Sequence, residues 1–191
     1  MRIILGLGNP GPEYTAHRHN IGFRCVDRLA VRLGLQLRRV DQDVRQGVGP
    51  MAGVRVVIAR ATTFMNASGR AATRLLDWHG GRVEDLVVVH DEVELEPGTV
   101  RVKDGGGHGG HNGVRSIIAL VGEREFVRVR LGVGRPTSSH VELADWVLSD
   151  FRRDERSLAD EMTERGADAV ESIVTGGVEE AMNRFNARPA S

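Results

Sequence analysis

Several protein classes are excluded by what this chain of 191 residues lacks. Cys25 is its only cysteine, so no disulfide can form within the chain, and a reducing compartment is indicated. No apolar run approaches the ~20 residues that cross a membrane, and the short apolar start is too brief for a signal peptide. We therefore expect a cytoplasmic protein without a membrane partner.

Lysine is almost absent as well. The basic residues are 25 Arg and a single Lys, Lys103, which lies two residues before the glycine-rich stretch 105–113. Codon bias would explain a general replacement of Lys by Arg, with one Lys surviving by chance. The alternative is that this position needs a compact ammonium group instead of a planar guanidinium. Composition alone leaves both interpretations open.

Neither sign of charge predominates, since 26 basic residues balance 26 acidic ones. From residue 140 onward, however, 12 acidic and 6 basic residues leave a net charge of −6, so residues 1–139 carry +6. A basic first part is compatible with a polyanionic partner, although acidic helices that merely solvate one end would give the same asymmetry. Aromatic residues, at 4%, are too few for a base-stacking surface, so any RNA would be recognised through phosphates and shape.

Short apolar runs alternate with segments of helical periodicity along the chain. We predict strands at 2–7, 54–61, 86–89, 98–103 and 126–133, and helices at 21–33, 67–78, 114–121, 140–148, 153–174 and 177–186. Asn20 is placed to cap the first helix. The alternation predicts one globular α/β domain over residues 1–191, with a twisted, mostly parallel mixed sheet surrounded by helices and with C-terminal helices.

Two phosphate-binding motifs fail on their chemistry. The stretch 6–11 fits G-x-G-x-x-G after a strand, but Pro10 and Pro12 lack the backbone N–H groups that such a loop aims at a pyrophosphate. A Walker A loop needs Gly directly before Lys, and the only Lys follows Val102. Neither a dinucleotide site nor a nucleoside triphosphate site is therefore expected.

A metal site is a stronger alternative. Four of the seven His fall in predicted loops or at strand ends, and His108 and His111 have a spacing common among metal ligands. The chain has no H-E-x-x-H motif and no second cysteine, so the spacing is weak evidence for zinc. A metal-dependent amidase or phosphoesterase remains an alternative, but we expect no metal and no other cofactor.

The predicted loops and strand ends also collect residues suited to general-base chemistry. A neutral His beside a carboxylate such as Asp91 can take a proton from water, since the carboxylate fixes the tautomer and raises the basicity of the far nitrogen. Asn9, Asn66 and Asn112 could place a water and stabilise an oxyanion. No serine stands in a G-x-S-x-G elbow, and Cys25 falls inside a predicted helix. Direct attack by water is therefore expected.

Five stretches, in this order, resemble the bacterial peptidyl-tRNA hydrolase family: 6–22 (GLGNPGPEYTAHRHNIG), 62–69 (TTFMNASG), 88–92 (VVHDE), 105–113 (GGGHGGHNG) and 128–136 (RVRLGVGRP). They extend over nearly the whole chain, and five ordered matches are more specific than one motif. The resemblance implies an esterase that cleaves the bond between a peptide and the 3′-terminal ribose of tRNA, recycling tRNA from peptidyl-tRNA released by ribosomes. It also implies a single α/β domain, usually a monomer, that works without a metal.

Matched position by position, the resemblance implies catalytic roles for three residues. His19 is the general base, Asp91 pairs with it, and Asn9 with neighbouring amides binds the carbonyl of the ester. Asn66 and Asn112 hold the peptide backbone and the attacking water.

The remaining matches concern substrate binding. Tyr14 and Met65 line the peptide channel, and His111 lies near the acceptor end of the tRNA. Lys103 and Arg130 grip its 5′-phosphate, which gives the single Lys a function.

Two points stay open after the resemblance is drawn. Asp104, directly after Lys103, would weaken the local positive potential unless its side chain points away, as alternation along a strand allows. The rival function is an RNA-binding protein of the same fold without hydrolase activity. The intact set of His19, Asp91 and the asparagines favours the enzyme.

Overall fold

Seven strands form one mixed sheet in the computed structural model, which describes residues 1–187. The strands are β1 (Arg2–Gly6), β2 (Arg38–Arg39), β3 (Val44–Met51), β4 (Val54–Ala61), β5 (Leu86–Glu92), β6 (Val100–Asp104) and β7 (Val127–Gly132). Across the sheet their order is β2-β3-β4-β1-β5-β7-β6. The central strands β4, β1, β5 and β7 are parallel, and the outer ones are antiparallel to their neighbours. The predicted α/β class with a mixed sheet and a parallel centre is confirmed.

Six helices surround the sheet. They are α1 (Ile21–Arg32), α2 (Ser68–His79), α3 (Asn112–Val121), α4 (Leu143–Val147), α5 (Arg156–Thr175) and α6 (Val178–Asn186). The predicted helix over 140–148 is too long, because Ser138 holds the backbone of His140 and Val141 in a turn and Glu142 is extended. No helix among residues 1–187 is long and apolar enough to cross a membrane.

Strand β3 has no counterpart in the sequence prediction, and its glycines explain why. Gly47, Gly49 and Pro50 give the segment little strand propensity. The segment nevertheless pairs with β4 along its whole length, and a Cβ on Gly49 would lie 2.8 Å from a terminal methyl of Leu35, so the strand packs closely against that side chain. The turn at Ala52 and Gly53, both at positive φ, joins β3 to β4.

Both faces of the sheet are covered by helices. Alternate residues of β1 point to opposite faces: Ile4 packs with Cys25 of α1 and Ala167 of α5, whereas Leu5 packs with Ala71 of α2. Burial on both faces explains why the central strands read as continuous apolar runs instead of alternating ones.

The start of α1 lies against the carboxyl ends of β1 and β5. A Cβ on Gly22 would lie 2.4 Å from the carbonyl oxygen of Val89 and 2.6 Å from that of Leu7, so only glycine fits. This close approach brings the residues just before α1, including His19, beside the last residues of β5. The carboxyl ends of the parallel strands are where α/β sheets place their ligands.

Candidate active site

The centre of the site is a hydrogen bond between His19 and Asp91. His19 belongs to a short 3-10 turn before α1, and Asp91 lies near the end of β5. The Nδ1 of His19 and the Oδ1 of Asp91 are 2.7 Å apart, and both residues are buried. Because a carboxylate only accepts, Nδ1 carries the proton and Nε2 keeps its lone pair. The structure thus brings together the predicted base and its predicted partner.

His111 donates to the same carboxylate oxygen. Its Nδ1 accepts backbone N–H groups of Gly113 and Val114 at 3.1 and 3.3 Å, which makes it the N-cap of α3. Nε2 must therefore carry the proton, and it donates to the Oδ1 of Asp91 at 2.9 Å. Both ring nitrogens of His111 are thus engaged within the protein.

The charges of this trio are coupled. Burial would raise the pKa of Asp91, but the two imidazoles hold it well below its ordinary value. Burial lowers the pKa of His19, yet attraction to Asp91 and their hydrogen bond together raise it above the usual value. Asp91 is therefore ionised throughout the pH range in which His19 gains or loses its proton.

His90 lies behind this trio as a neutral ring. Its Nδ1 donates to the carbonyl oxygen of Asp91 at 2.6 Å, and its ring meets that of His111 edge-on at 4.6 Å between centroids. Burial, with repulsion from His111, keeps the pKa of His90 well below its ordinary value. A neutral His90 adds no positive charge beside Asp91.

Asn9 is buried, and a backbone N–H occupies its side-chain oxygen. Its Oδ1 accepts the backbone N–H of Met65 at 2.8 Å, which leaves the Nδ2 hydrogens directed away from that contact. The prediction that Asn20 caps α1 is wrong: its side chain makes no capping bond and instead bonds to both the N–H and the carbonyl of Asn9. An Asn side chain uses the same amide group to cap a helix and to bond to the backbone of another segment, so sequence alone could not distinguish the two.

Two clefts flank His19 and share the wall formed by Ala144 and Val147 of α4. One, of about 400 Å³, is lined by Asn9, His19, Phe64, Met65, Asn66, Asn112, Ala144, Val147 and Leu148. The other, of about 370 Å³, extends past Asp91 and His111 to Glu92, Glu94 and Arg135. The three asparagines singled out in the sequence thus line one cleft with the base. We call this the asparagine cleft and the other the acidic cleft.

The sequence profile of peptidyl-tRNA hydrolase matches residues 3–191. The chain belongs to the peptidyl-tRNA hydrolase family. It is 45% identical to the peptidyl-tRNA hydrolase of Syntrophotalea carbinolica over 188 residues, which cover 98% of each chain. The enzyme of Frankia casuarinae is 43% identical over 185 residues, covering 97% of this chain and 93% of that one.

Solved structures agree with this family membership. The crystal structure of the peptidyl-tRNA hydrolase from Acinetobacter baumannii matches with a TM-score of 0.90 and 37% identity, covering 98% of this chain and 95% of that one. A peptidyl-tRNA hydrolase in complex with N-propanol matches with a TM-score of 0.91 and 37% identity, covering 100% and 97% of the two chains. The family inferred from the five motifs is confirmed.

The lining of the asparagine cleft includes an aromatic residue that the sequence analysis did not select. Phe64 is 57% exposed, and Tyr14 meets it edge-on at 6.2 Å between ring centroids. An exposed ring that lines a cleft, with a half-buried ring packed against it, is a candidate contact for a substrate. The signal available in the sequence was the position of Phe64 within the stretch 62–69.

Lys103 and Arg130 lie on adjacent strands but differ in their surroundings. Register places Lys103 opposite Arg128, and Arg101 opposite Arg130, so the four side chains share one face. Arg130 binds the Oε2 of Glu92 through Nε and Nη2 at 3.0 and 2.9 Å, whereas Lys103 makes no ion pair among residues 1–187. Lys103 therefore presents the less compensated charge of the predicted pair.

A buried arginine fixes the backbone of the glycine-rich loop before α3. Arg128 donates to the carbonyl oxygens of Gly106 and Gly107, the latter at 2.6 Å. Asp104, the residue whose effect on Lys103 was open, follows it within β6, so the two side chains point to opposite faces.

The cluster of His19, Asp91 and His111 resembles a metal site in spacing only. Their candidate ligand atoms all lie within 4.8 Å of one another. To coordinate a cation beside Asp91, His111 would need a lone pair on Nε2 and hence a proton on Nδ1, which faces two backbone N–H donors. Hydrogen bonding explains the cluster, and the donor set does not fit a cation.

Proposed function

We propose that the chain hydrolyses the ester between a peptide and the 3′-terminal ribose of tRNA, with water as the direct nucleophile. One observation carries the proposal: His19, its tautomer fixed by Asp91, has its free Nε2 in the same cleft as Asn9. Membership of the peptidyl-tRNA hydrolase family supplies the substrate class, since the curated relatives bear that name.

His19 acts as the general base. Its neutral ring takes a proton from water through Nε2, and the ionised Asp91 stabilises the imidazolium that forms. Such general-base catalysis contributes about 10²- to 10⁴-fold to the rate. The hydroxyl attacks the ester carbonyl, and the proton held on His19 then passes to the ribose oxygen that leaves.

Asn9 stabilises the charge on the carbonyl oxygen. Because Met65 occupies its Oδ1, the Nδ2 group is the end available to donate to a tetrahedral oxyanion. Removing one such donor costs roughly 3–4 kcal/mol of transition-state stabilisation.

The rest of the asparagine cleft suits a peptide. Asn66 and Asn112 offer amides for the peptide backbone or the attacking water, and Met65 offers an apolar surface that adapts to varied side chains. Phe64 lines this cleft, and Tyr14 packs edge-on against it. Both ring nitrogens of His111 are engaged within the protein, so we assign it no direct bond to the substrate. It holds Asp91 in place near the acceptor end of the tRNA.

The tRNA is held through its phosphates by the basic face that carries Lys103 and Arg130. Lys103 meets the 5′-phosphate as a mobile ammonium. Arg130 binds the same phosphate from the same face, since it lies on β7 two residues from Arg128, which is paired with Lys103. We further propose that the protein acts in the cytoplasm as a monomer, over one domain that includes residues 1–191.

The deciding experiment is release of peptide from N-acetylaminoacyl-tRNA by wild type and His19→Ala. We expect His19→Ala to lose release while it binds the tRNA as tightly as wild type. Retained turnover would reject His19 as the base, and wild type that binds without turnover would support the RNA-binding alternative.

A second experiment addresses the metal alternative. Activity should persist in EDTA; loss of activity that zinc restores would favour the metal-dependent hydrolase.

A further inference from the structure

Asn20, the residue directly after His19, brackets the backbone of Asn9. Its Oδ1 accepts the Asn9 N–H and its Nδ2 donates to the Asn9 carbonyl, both at 2.9 Å and both buried. Asn9 precedes Pro10, which favours an extended backbone. An extended residue presents its N–H and C=O to the same side, so one amide can engage both, as a neighbouring strand would.

The other end of Asn9 is fixed as well. The Met65 N–H at its Oδ1 stops rotation of the side-chain amide. Through its bonds to Asn20, the backbone of Asn9 is tied to the residue directly after His19. The position of Asn9 relative to His19 is thus set through Asn20.

We propose that Asn20 is a positioning residue that sets the distance between His19 and the Nδ2 of Asn9, and thereby kcat. The inference rests on the proposed function, since it assumes that these two groups act on one ester. A displacement of about 1 Å in such a pair costs up to about 100-fold in rate.

The chain offers a matched control for this bracket. Asn186, at the end of α6, makes the same pair of bonds to Val102 on the edge strand β6: Oδ1 accepts its N–H at 2.9 Å and Nδ2 donates to its carbonyl at 2.8 Å. Asn186 lines neither cleft beside His19. Its loss removes identical chemistry from a place remote from the reaction.

The test measures kcat and KM for peptidyl-tRNA in Asn20→Leu, Asn9→Ala, the double variant and Asn186→Leu. We expect Asn20→Leu to lower kcat about 10- to 100-fold with KM nearly unchanged. The double variant should be no slower than Asn9→Ala alone, because Asn20 acts through Asn9. Asn186→Leu should keep the wild-type kcat, whatever it costs in thermal stability.

Three results would overturn the inference: multiplicative losses in the double variant, an equal loss of kcat in Asn186→Leu, or an unchanged kcat in Asn20→Leu. If Asn20→Leu does not fold, Asn20→Asp replaces it, since the carboxylate keeps the bond to the Asn9 N–H and loses the other. Failure of both to fold would assign Asn20 to stability and reject the proposal. An inactive wild type would instead reject the proposed function.

Discussion

Asp91 accepts two imidazole N–H groups on one oxygen, and this sharing controls its effect on His19. Each donor stabilises the negative charge of the carboxylate, so the bond from His111 weakens the attraction between Asp91 and a protonated His19. The groups that face His19 from neighbouring elements are Asp91 on β5 and His111 just before α3, with neutral His90 behind them. His111 therefore limits how far the pKa of His19 rises.

Replacing His111 should move the acid limb of the pH profile. A general base works only when unprotonated, so kcat/KM falls as the pH drops below the pKa of His19. His111→Asn keeps an N-cap on α3 but removes the donor to Asp91, so the pKa of His19 should rise and the limb should move to higher pH. The measurement is kcat/KM on peptidyl-tRNA between about pH 5 and 9.

A histidine in the same loop provides the control for that shift. The His108 side chain accepts the Gly110 N–H, and no hydrogen bond among residues 1–187 joins it to Asp91, so His108→Asn should leave the limb in place. A limb that stays fixed in His111→Asn, or moves to lower pH, would show that His111 does not act through Asp91.

At the scale of elements, α4 depends on a contact made from the turn that carries His19. Arg18 is 1% exposed and places its guanidinium 3.8 Å from the centroid of the Trp146 ring. It also binds Glu155 at 2.5 Å and the Oγ of Ser149 at 2.9 Å. The wall shared by both clefts is thereby tied to the residue directly before His19.

Trp146→Ala should loosen that wall. It removes the stacking on Arg18 and the bond from Nε1 to the carbonyl of Gly134 at 2.7 Å, together worth about 2 kcal/mol. We expect a matching loss in urea unfolding and a raised KM for peptidyl-tRNA. The control is Trp78→Ala on α2, whose ring lies 5.9 Å from the Arg74 guanidinium and outside both clefts. Equal effects on KM would show that α4 does not shape the substrate site.

For the whole molecule, the neutral net charge conceals two differently charged faces of the sheet. Val102 packs on the face covered by α5, so Lys103 next to it points to the opposite face, with Arg128 and Arg130. The acidic C-terminal helices lie on the first face, where Arg32 of α1 pairs with Glu164 and Asp168 of α5. These acidic side chains pair with Arg32 on the first face and do not neutralise the basic side chains of β6 and β7 on the opposite face.

Lys103→Ala should weaken tRNA binding without touching the chemistry. We expect a higher KM for peptidyl-tRNA and a logarithmic salt dependence less steep by about one unit, with hydrolysis of a small N-acyl ester unchanged. Arg165 is an exposed residue of α5, on the other face of the sheet. Arg165→Ala removes one positive charge there and should change neither quantity. An equal loss on the small ester would place Lys103 in the chemistry or in the fold.

The sequence foretold the elements whose signals are local. Apolar runs identified the strands 54–61 and 86–89, and periodicity identified α1, α2 and α5 to within a few residues. It failed at β3, where Gly47, Gly49 and Pro50 give little strand propensity, and at 140–142, where Ser138 holds a turn. At β3 the pairing with β4 overrides local propensity, whereas at 140–142 local bonds to Ser138 keep the backbone out of the helix.

What the sequence by itself determined was the family, the α/β class and the identity of the groups that gather at the strand ends. These follow from ordered motifs and from alternation, which need no knowledge of distance. Only the tertiary structure decided that Asp91 serves two histidines, that Asn20 brackets Asn9 instead of capping α1, and that Glu92 compensates Arg130 but not Lys103. A polar side chain has several partners of similar energy within reach, and the fold alone selects among them.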